Sequence, residues 1–208
     1  MTGIQHQLVE MARRPSEEAA AAATRLATHA AETGAADVAY AEVDSPVGTL
    51  VAAATRRGLV RLAYEDSDGG LDAVVEGLAS KLSPRIVEAP ALLDAVRRQL
   101  DEYFEGRRNG FDLPVDLVLV SPFTRRVLKA TARVPFGATS TYREIATRAG
   151  NAAASRAAGN ALGANPIAIV VPCHRVLHSG GGLGGYTGGL DRKKLLLSVE
   201  GVTIGARP

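Results

Sequence analysis

The residues with the clearest chemistry surround the chain's only cysteine, Cys173, in the run Ile-Val-Val-Pro-Cys-His-Arg-Val at 169–176. A thiol becomes a nucleophile as its thiolate, and a neighbouring base or positive charge lowers the thiol pKa. His174 and Arg175 place both kinds of group directly after the cysteine. A lone cysteine after an apolar run is, however, more often a small buried hydrophobe. The run alone leaves both interpretations open.

A histidine that acts as a base usually needs an acceptor that orients its ring. Residues 121–208 contain three carboxylates, those of Glu144, Asp191 and Glu200. Glu200 ends a helix predicted over 192–200, and its spacing favours a solvated helix-end residue over a buried partner of His174. Adjacent residues need not face each other, so His174 would reach the sulfur through a turn or a bridging water.

A glycine-rich segment follows, with seven glycines in the ten residues 180–189. Such a loop can cradle phosphate, but the Lys-Ser/Thr pair and the strand-to-helix context of a phosphate loop are missing here. Small residues would also let a flat ligand approach the backbone beside Cys173, with Tyr186 as one wall of the slot. A flexible connector is the alternative.

Charge is divided unevenly along the chain. Residues 1–120 contain 12 Lys and Arg against 19 Asp and Glu, a net charge of −7, and residues 121–208 contain 12 against 3, a net charge of +9. This asymmetry indicates that the C-terminal half binds a polyanion. A basic surface that serves solubility or subunit contact is the alternative.

The cysteine count and the hydropathy of the chain indicate its cellular compartment. One cysteine excludes an intramolecular disulfide and a zinc site with two or more thiolates, and it is typical of a reducing compartment. The longest apolar runs, such as 166–172, are too short to cross a bilayer. The first thirty residues lack the pattern of a secretory signal. We expect a cytoplasmic protein, associated with the nucleoid if bacterial, with no membrane partner.

The pattern of residues predicts an α+β fold in three segments. Residues 1–37 form an extension with an alanine-rich helix that starts at Pro15-Ser16 and ends near Gly34. Residues 38–120 form a small α/β domain. Its predicted elements are an antiparallel meander of strands at 38–43, 49–55 and 59–64, helices at 71–81 and 91–104, and a strand or extended connector at 111–120.

Residues 121–208 form a mainly helical domain, in which the strand pattern almost disappears. Ser121-Pro122 opens a helix that continues through Val134, with Ser as the cap. Two short helices at 141–149 and 153–162, joined by a glycine-containing turn in the most basic region, are a helix-turn-helix candidate. A pair of packed helices with only a structural role fits the same pattern.

Taken together, these motifs resemble the O6-alkylguanine-DNA alkyltransferase family. The resemblance rests on Pro-Cys-His-Arg-Val at 172–176, the segment 159–166, the glycine loop with Tyr186, and Glu200. It is specific over about 121–201, looser over 38–120 and absent before residue 38. It implies a helix-turn-helix domain of winged-helix type. It also implies direct-reversal DNA repair, in which an alkyl group on O6 of guanine, and by extension O4 of thymine, passes to the protein's own cysteine once per molecule.

The resemblance also implies roles for individual residues. Cys173 would be the acceptor, with His174 as a water-mediated base that Glu200 orients, and this overturns the solvated interpretation of Glu200. Asn165 would tie the active-site turn, and Tyr142 would assist extrusion of the nucleotide and hydrogen-bond the guanine. Further implied residues are the following: for DNA binding, the arginine finger Arg156 with Ser155, Ala157 and Gly159; for the substrate pocket, Tyr186, Val176, Gly184 and Thr187.

The implied partner is double-stranded DNA that carries O6-alkylguanine, bound by a monomer with cooperativity left open. No metal and no organic cofactor are implied. Two other classes of protein fit parts of the sequence. A thiol hydrolase with a Cys-His-Glu triad would turn over and keep a free thiol. A DNA-binding regulator would bind DNA and leave Cys173 unalkylated.

Overall fold

A computed structural model describes residues 17–203 of the chain. The first helix, α1 (Glu17–Thr33), ends before Gly34, whose φ of 84° stops the helix. This confirms the predicted alanine-rich helix, while its predicted start at Pro15-Ser16 lies outside the described residues. The side chains on α1 that the structure describes are mostly exposed, in keeping with their small size.

The N-terminal sheet has four strands, β1 (Val38–Val43), β2 (Leu50–Thr55), β3 (Gly58–Tyr64) and β4 (Ile86–Glu88), in the order β3-β2-β1-β4. The first three pair antiparallel, which confirms the predicted meander. β4 was not predicted, because three residues are too few to show a period, and it pairs parallel to β1.

Two helical segments cover the sheet, one on each face. Alternate residues of β2 point to opposite faces, so that Val51 contacts one cluster with Val74 and Leu78 of α2 (Gly70–Lys81). On the other face, Leu50 packs in the larger core that contains helix α3 (Asp94–Phe104) and the preceding 3-10 turn (Pro90–Leu93). The helix predicted over 91–104 is therefore split after Leu93.

Residues 111–120 form the extended connector, with one isolated bridge between Leu59 and Val115. The following elements are helices α4 (Pro122–Thr131), α5 (Tyr142–Arg148), α6 (Ser155–Gly163) and α7 (Leu190–Val199), a 3-10 turn (Cys173–Arg175), and the two-residue strands β5 (Ser140–Thr141) and β6 (Val176–Leu177). The Ser121 hydroxyl accepts the Thr124 N–H, which confirms the predicted cap, but α4 ends at Thr131 and not at Val134. The mixed α+β architecture agrees with the prediction.

The N-terminal sheet continues directly into the segment that precedes the cysteine. Leu62 on the free edge of β3 donates its N–H to the Pro166 carbonyl (2.8 Å) and accepts the Ala168 N–H (2.9 Å). Buried backbone groups must be satisfied, so this pairing fixes the position of the segment relative to the sheet. The N-terminal domain is therefore part of the framework of the candidate site. Within residues 17–203, none of the helices is long and apolar enough to cross a membrane.

Candidate active site

Cys173 begins the 3-10 turn and is almost fully buried, with 8% of its surface exposed. The turn before it is held by Asn165, whose side-chain amide donates to the Val171 carbonyl (2.9 Å) and accepts the Ile167 N–H (3.1 Å). This bracing holds Ile169 at a φ of 67°, a conformation that is costly for a β-branched residue. The Asn165 amide also donates to Cys173 Sγ at 3.2 Å, so one side chain shapes the turn and contacts the sulfur.

Behind the cysteine, His174 and Glu200 form a buried pair. Nε2 of His174 lies 2.8 Å from Oε1 of Glu200, and both side chains are fully inaccessible to solvent. Arg175 donates to both carboxylate oxygens, from Nε at 2.8 Å and from Nη2 at 2.9 Å, and Tyr103 of α3 donates its hydroxyl at 2.7 Å. The solvated position that spacing favours for Glu200 is wrong, because His174 and Arg175 of the 3-10 turn and Tyr103 of α3 satisfy the carboxylate inside the core.

The charges of this pair follow from its contacts. Burial acts to raise the pKa of Glu200, but the hydrogen bonds from His174 and Arg175 outweigh it and lower that pKa to about 2. Burial lowers the pKa of His174 below 6.5, so the ring is neutral at pH 7. A carboxylate only accepts, so Nε2 of the neutral ring carries the hydrogen. Nδ1 is then the basic atom, and in residues 17–203 it is the buried side-chain nitrogen without a protein partner.

The thiol itself rests in its protonated form. Burial raises the pKa of Cys173, and the hydrogen bond from Asn165 and the charge of Lys193 counteract part of that rise. Lys193 of α7 is fully buried and donates its ammonium to the carbonyls of Val176 (2.7 Å) and Leu183. Burial lowers the pKa of this lysine to about 8. A proton acceptor must therefore take the thiol proton before or during nucleophilic attack.

A cavity of about 650 Å³ opens above Cys173, large enough for a purine base. It lies between the helix-turn-helix and the glycine loop, which Thr187 ties to the end of α6 through a hydrogen bond to the Gly163 carbonyl (3.1 Å). The structure brings together here seven of the residues singled out in the sequence: Tyr142, Ser155, Arg156, Gly159, Cys173, Tyr186 and Thr187. Gly185 of the predicted glycine-loop wall also lines the cavity. Four further lining residues were not predicted: Asn160, Leu162, Gly163 and His178.

Three of the residues predicted for DNA binding or for the substrate pocket do not line this cavity. Val176 is fully buried and pairs with Ser140 in the small sheet of β5 and β6. Gly184 lies directly under Tyr142, and a Cβ at this glycine would collide with the tyrosine hydroxyl. Ala157 is exposed on α6 outside the cavity wall. Because Gly184 has no side chain, it leaves room for Tyr142, which lines the cavity.

The cavity opens to the surface at the helix-turn-helix. A reciprocal capping box starts α5, since the Thr141 hydroxyl accepts the Glu144 N–H (3.2 Å) and the Glu144 carboxylate accepts the Thr141 N–H (3.1 Å). Arg156 is exposed in the first turn of α6 and reaches the cavity rim. The ring of Tyr142 packs against His178, with ring centres 5.1 Å apart. Among the described residues, no cluster of three or more His, Cys, Asp or Glu is placed to hold a metal ion.

The chain is similar to known proteins in both sequence and fold. Two family models match the chain, the ribonuclease-like domain of 6-O-methylguanine DNA methyltransferase over residues 38–117 and its DNA binding domain over 122–202. A methylated-DNA–protein-cysteine methyltransferase of Mycolicibacterium paratuberculosis is 42% identical over 166 residues, which cover 77% of this chain and 91% of the relative. One of Methanosarcina barkeri is 37% identical and covers 77% of this chain and 96% of the relative. The crystal structure of Mycobacterium tuberculosis OGT in complex with DNA superimposes with a TM-score of 0.69 at 37% identity, over 78% of this chain and 93% of that one.

A helix-turn-helix whose rim opens onto a buried cysteine, with a histidine and a carboxylate beside it, is typical of a DNA-binding protein that carries a candidate nucleophilic thiol. The chain belongs to the 6-O-methylguanine DNA methyltransferase family.

Proposed function

We propose that this protein repairs O6-alkylguanine in double-stranded DNA by moving the alkyl group to Sγ of Cys173, once per molecule. The observation that carries this assignment is the position of Cys173 in the wall of a base-sized cavity whose rim belongs to the helix-turn-helix. The His174-Glu200 pair lies on the buried side of the same cysteine. O4-alkylthymine presents a similar alkyl carbon on a smaller base and is the second proposed substrate.

Residues around Cys173 supply the proton acceptor and the hydrogen-bond donor that alkyl transfer needs. His174 Nδ1 receives the thiol proton through a bridging water, and the resulting imidazolium is stabilised by the Glu200 carboxylate. The thiolate attacks the alkyl carbon in line, the C–S bond forms, and the C–O6 bond breaks with its electron pair passing to guanine. The Tyr142 hydroxyl donates a hydrogen bond to the departing guanine anion, which takes up one proton from water. The His174 imidazolium returns the thiol proton to water, so no net proton is gained or lost. The thioether product has no leaving group for hydrolysis, so the reaction stops after one turnover.

The alkyl carbon reaches the buried sulfur only if the nucleotide leaves the base stack. Unstacking costs a few kcal/mol and is easiest for a weakened pair. Arg156 at the rim would fill the gap in the stack while the exposed cations of residues 121–208 contact phosphates. Binding of this kind is largely independent of sequence and weakens steeply with salt. We propose that the protein acts in the cytoplasm and that one monomer repairs each lesion.

The test is the intact mass of the protein after incubation with excess duplex that carries one O6-methylguanine. A gain of one methyl group, located on Cys173 and absent from Cys173→Ser, supports the proposal. Lesion DNA that is bound without any gain in mass would identify a damage sensor. Continuing turnover of acyl or peptide substrates with an unmodified thiol would identify a hydrolase. Either of the last two outcomes overturns the proposal.

A further inference from the structure

The wall of the cavity at Tyr186 is held from the N-terminal domain. Tyr64, the last residue of β3, is 1% exposed, and its hydroxyl lies 2.8 Å from the hydroxyl of Tyr186. The two rings meet edge to face with centres 6.1 Å apart, and Tyr186 also meets the ring of His174 edge to face at 6.5 Å. A residue that is 122 positions away in the sequence therefore fixes the hydroxyl end of the pocket wall.

Tyr64 is in turn fixed by Arg192 of α7. The guanidinium of Arg192 lies over the Tyr64 ring, 4.5 Å from its centre, and forms two hydrogen bonds with the Asp66 carboxylate at 2.7 and 2.9 Å. The same guanidinium donates to the Val47 carbonyl (2.7 Å) and to the Gly188 carbonyl in the glycine loop (3.3 Å). Arg192 thus joins two loops of the N-terminal domain to the loop that carries Tyr186.

The fit between Tyr64 and the glycine loop is close. A Cβ at Gly188 would collide with the Tyr64 ring, so the backbone of the loop packs directly on this side chain. A second cavity of about 90 Å³ lies between β3 and Cys173, and Tyr64, Tyr186 and Cys173 all line it. This volume corresponds to roughly three water molecules. Tyr186 borders both this small cavity and the large one, so its position sets how much room an alkyl group has beside the sulfur.

We infer that Tyr64 and Arg192 are positioning residues that hold Tyr186 as a fixed wall, and that this wall restricts efficient transfer to small alkyl groups. The inference rests on the proposed alkyl transfer. In-line attack on a methyl carbon requires close placement of the reacting atoms, and small displacements are costly in rate. Release of the Tyr186 hydroxyl would let the ring move toward the small cavity. A methyl group would then be held less well, while a larger substituent would gain space.

The test compares transfer rate constants for duplex O6-methylguanine and for O6-benzylguanine base in Tyr64→Phe, which removes one hydroxyl and keeps the ring under Arg192. We expect the methyl rate constant to fall about tenfold and the ratio of the benzyl to the methyl rate constant to rise. Arg192→Gln should change the ratio in the same direction, and the double variant should show less than the product of the single effects. Affinity for methylated duplex, measured in a Cys173→Ser background, should be unchanged.

Two control variants match these changes at positions far from the pocket. Tyr40→Phe removes a tyrosine hydroxyl from β1, and Arg85→Gln removes a two-bonded arginine–carboxylate pair with Asp37. Both variants should keep the wild-type ratio of the benzyl to the methyl rate constant. A Tyr64→Phe protein with the wild-type ratio, or with both rate constants lowered in parallel and a lowered unfolding midpoint, would overturn the inference. Failure of the proposed function would give a different result, because the wild-type protein itself would gain no methyl group from the methylated duplex.

Discussion

The hydroxyl of Tyr103 in α3 donates to Oε1 of Glu200 at 2.7 Å, so a residue of the N-terminal domain completes the hydrogen bonding of the carboxylate behind the cysteine. The same oxygen lies 2.8 Å from Nε2 of His174. This contact is buried and spans 97 positions of the sequence. The N-terminal domain therefore has a direct part in the electrostatics of the candidate site.

Tyr103→Phe should lower the free energy of unfolding by about 2 kcal/mol, because a buried hydrogen bond to a charged group is lost while the ring packing stays. Urea unfolding followed by circular dichroism measures this change. Tyr40→Phe is the control, since its ring packs against the other face of the sheet. Equal stability of the Tyr103→Phe and wild-type proteins would show that the hydroxyl contributes nothing to the pair.

The stability of the protein should fall in acid through Glu200. Its pKa is about 2 in the folded protein against 4.5 for an ordinary glutamate, so its contribution is complete above about pH 5 and is lost as the pH falls toward 2. This difference corresponds to about 3 kcal/mol at neutral pH. The lowered pKa of His174 acts in the same direction below pH 6.5, since the unfolded chain then binds a proton that the folded protein does not.

Unfolding free energies from pH 7 to pH 3 test this dependence. Glu200→Gln should be strongly destabilised at pH 7, because it leaves the buried Arg175 guanidinium without its anion, and its stability should vary less with pH. Glu105→Gln removes a carboxylate from an exposed ion pair with Arg107 and should retain the wild-type profile. A wild-type profile for Glu200→Gln would contradict the assignment.

Arg156→Ala should lower the rate of alkyl transfer in duplex DNA about tenfold or more. The gap in the base stack is then left unfilled, so extrusion of the nucleotide costs more free energy. The variant should still react with O6-benzylguanine base, which needs no extrusion. Single-turnover rates with both substrates measure the two effects. Arg97→Ala, which changes an exposed arginine of α3, should match wild type with both. Unchanged duplex repair by Arg156→Ala would remove Arg156 from its proposed role.

Gly184→Ala should slow transfer in duplex DNA about tenfold or more, because the added Cβ collides with the Tyr142 hydroxyl and Gly184 has a φ of 67° that disfavours alanine. Gly180→Ala is the matched control in the same loop, since its φ is ordinary and its Cβ would meet nothing within 4 Å. Single-turnover rates separate the two variants. Equal rates for both would show that Tyr142 tolerates displacement.

The sequence predicted those features that depend on neighbouring residues. The three antiparallel strands, the capped helix after Ser121 and the two short helices of the helix-turn-helix follow from local periodicity and capping. Short elements without a period were missed, such as β4 and the small sheet of β5 and β6. The boundaries at residues 37 and 120 and the roles of the site residues stay predictions.

Several residues of the site had weak signals in the sequence. Lys193 lies three residues before Leu196, on the buried face of α7, and a lysine on an apolar face could have been recognised as a buried group. Tyr103 follows Leu100 at the same spacing on α3, but its pattern shows only burial and not a partner for the hydroxyl. Nothing in the sequence marks Tyr64 or His178 as neighbours of the cavity.

By itself, the sequence determined the candidate nucleophile, its adjacent histidine and the basic, helix-turn-helix character of residues 121–208, because these features lie in short contiguous motifs. Only the tertiary structure decided which groups meet behind and beside the sulfur. Glu200 is the clearest case, since local spacing favours solvent and long-range contacts with Tyr103, His174 and Arg175 place it in the core. A buried carboxylate is stable only when several donors satisfy it at once, and those donors come from different parts of the chain.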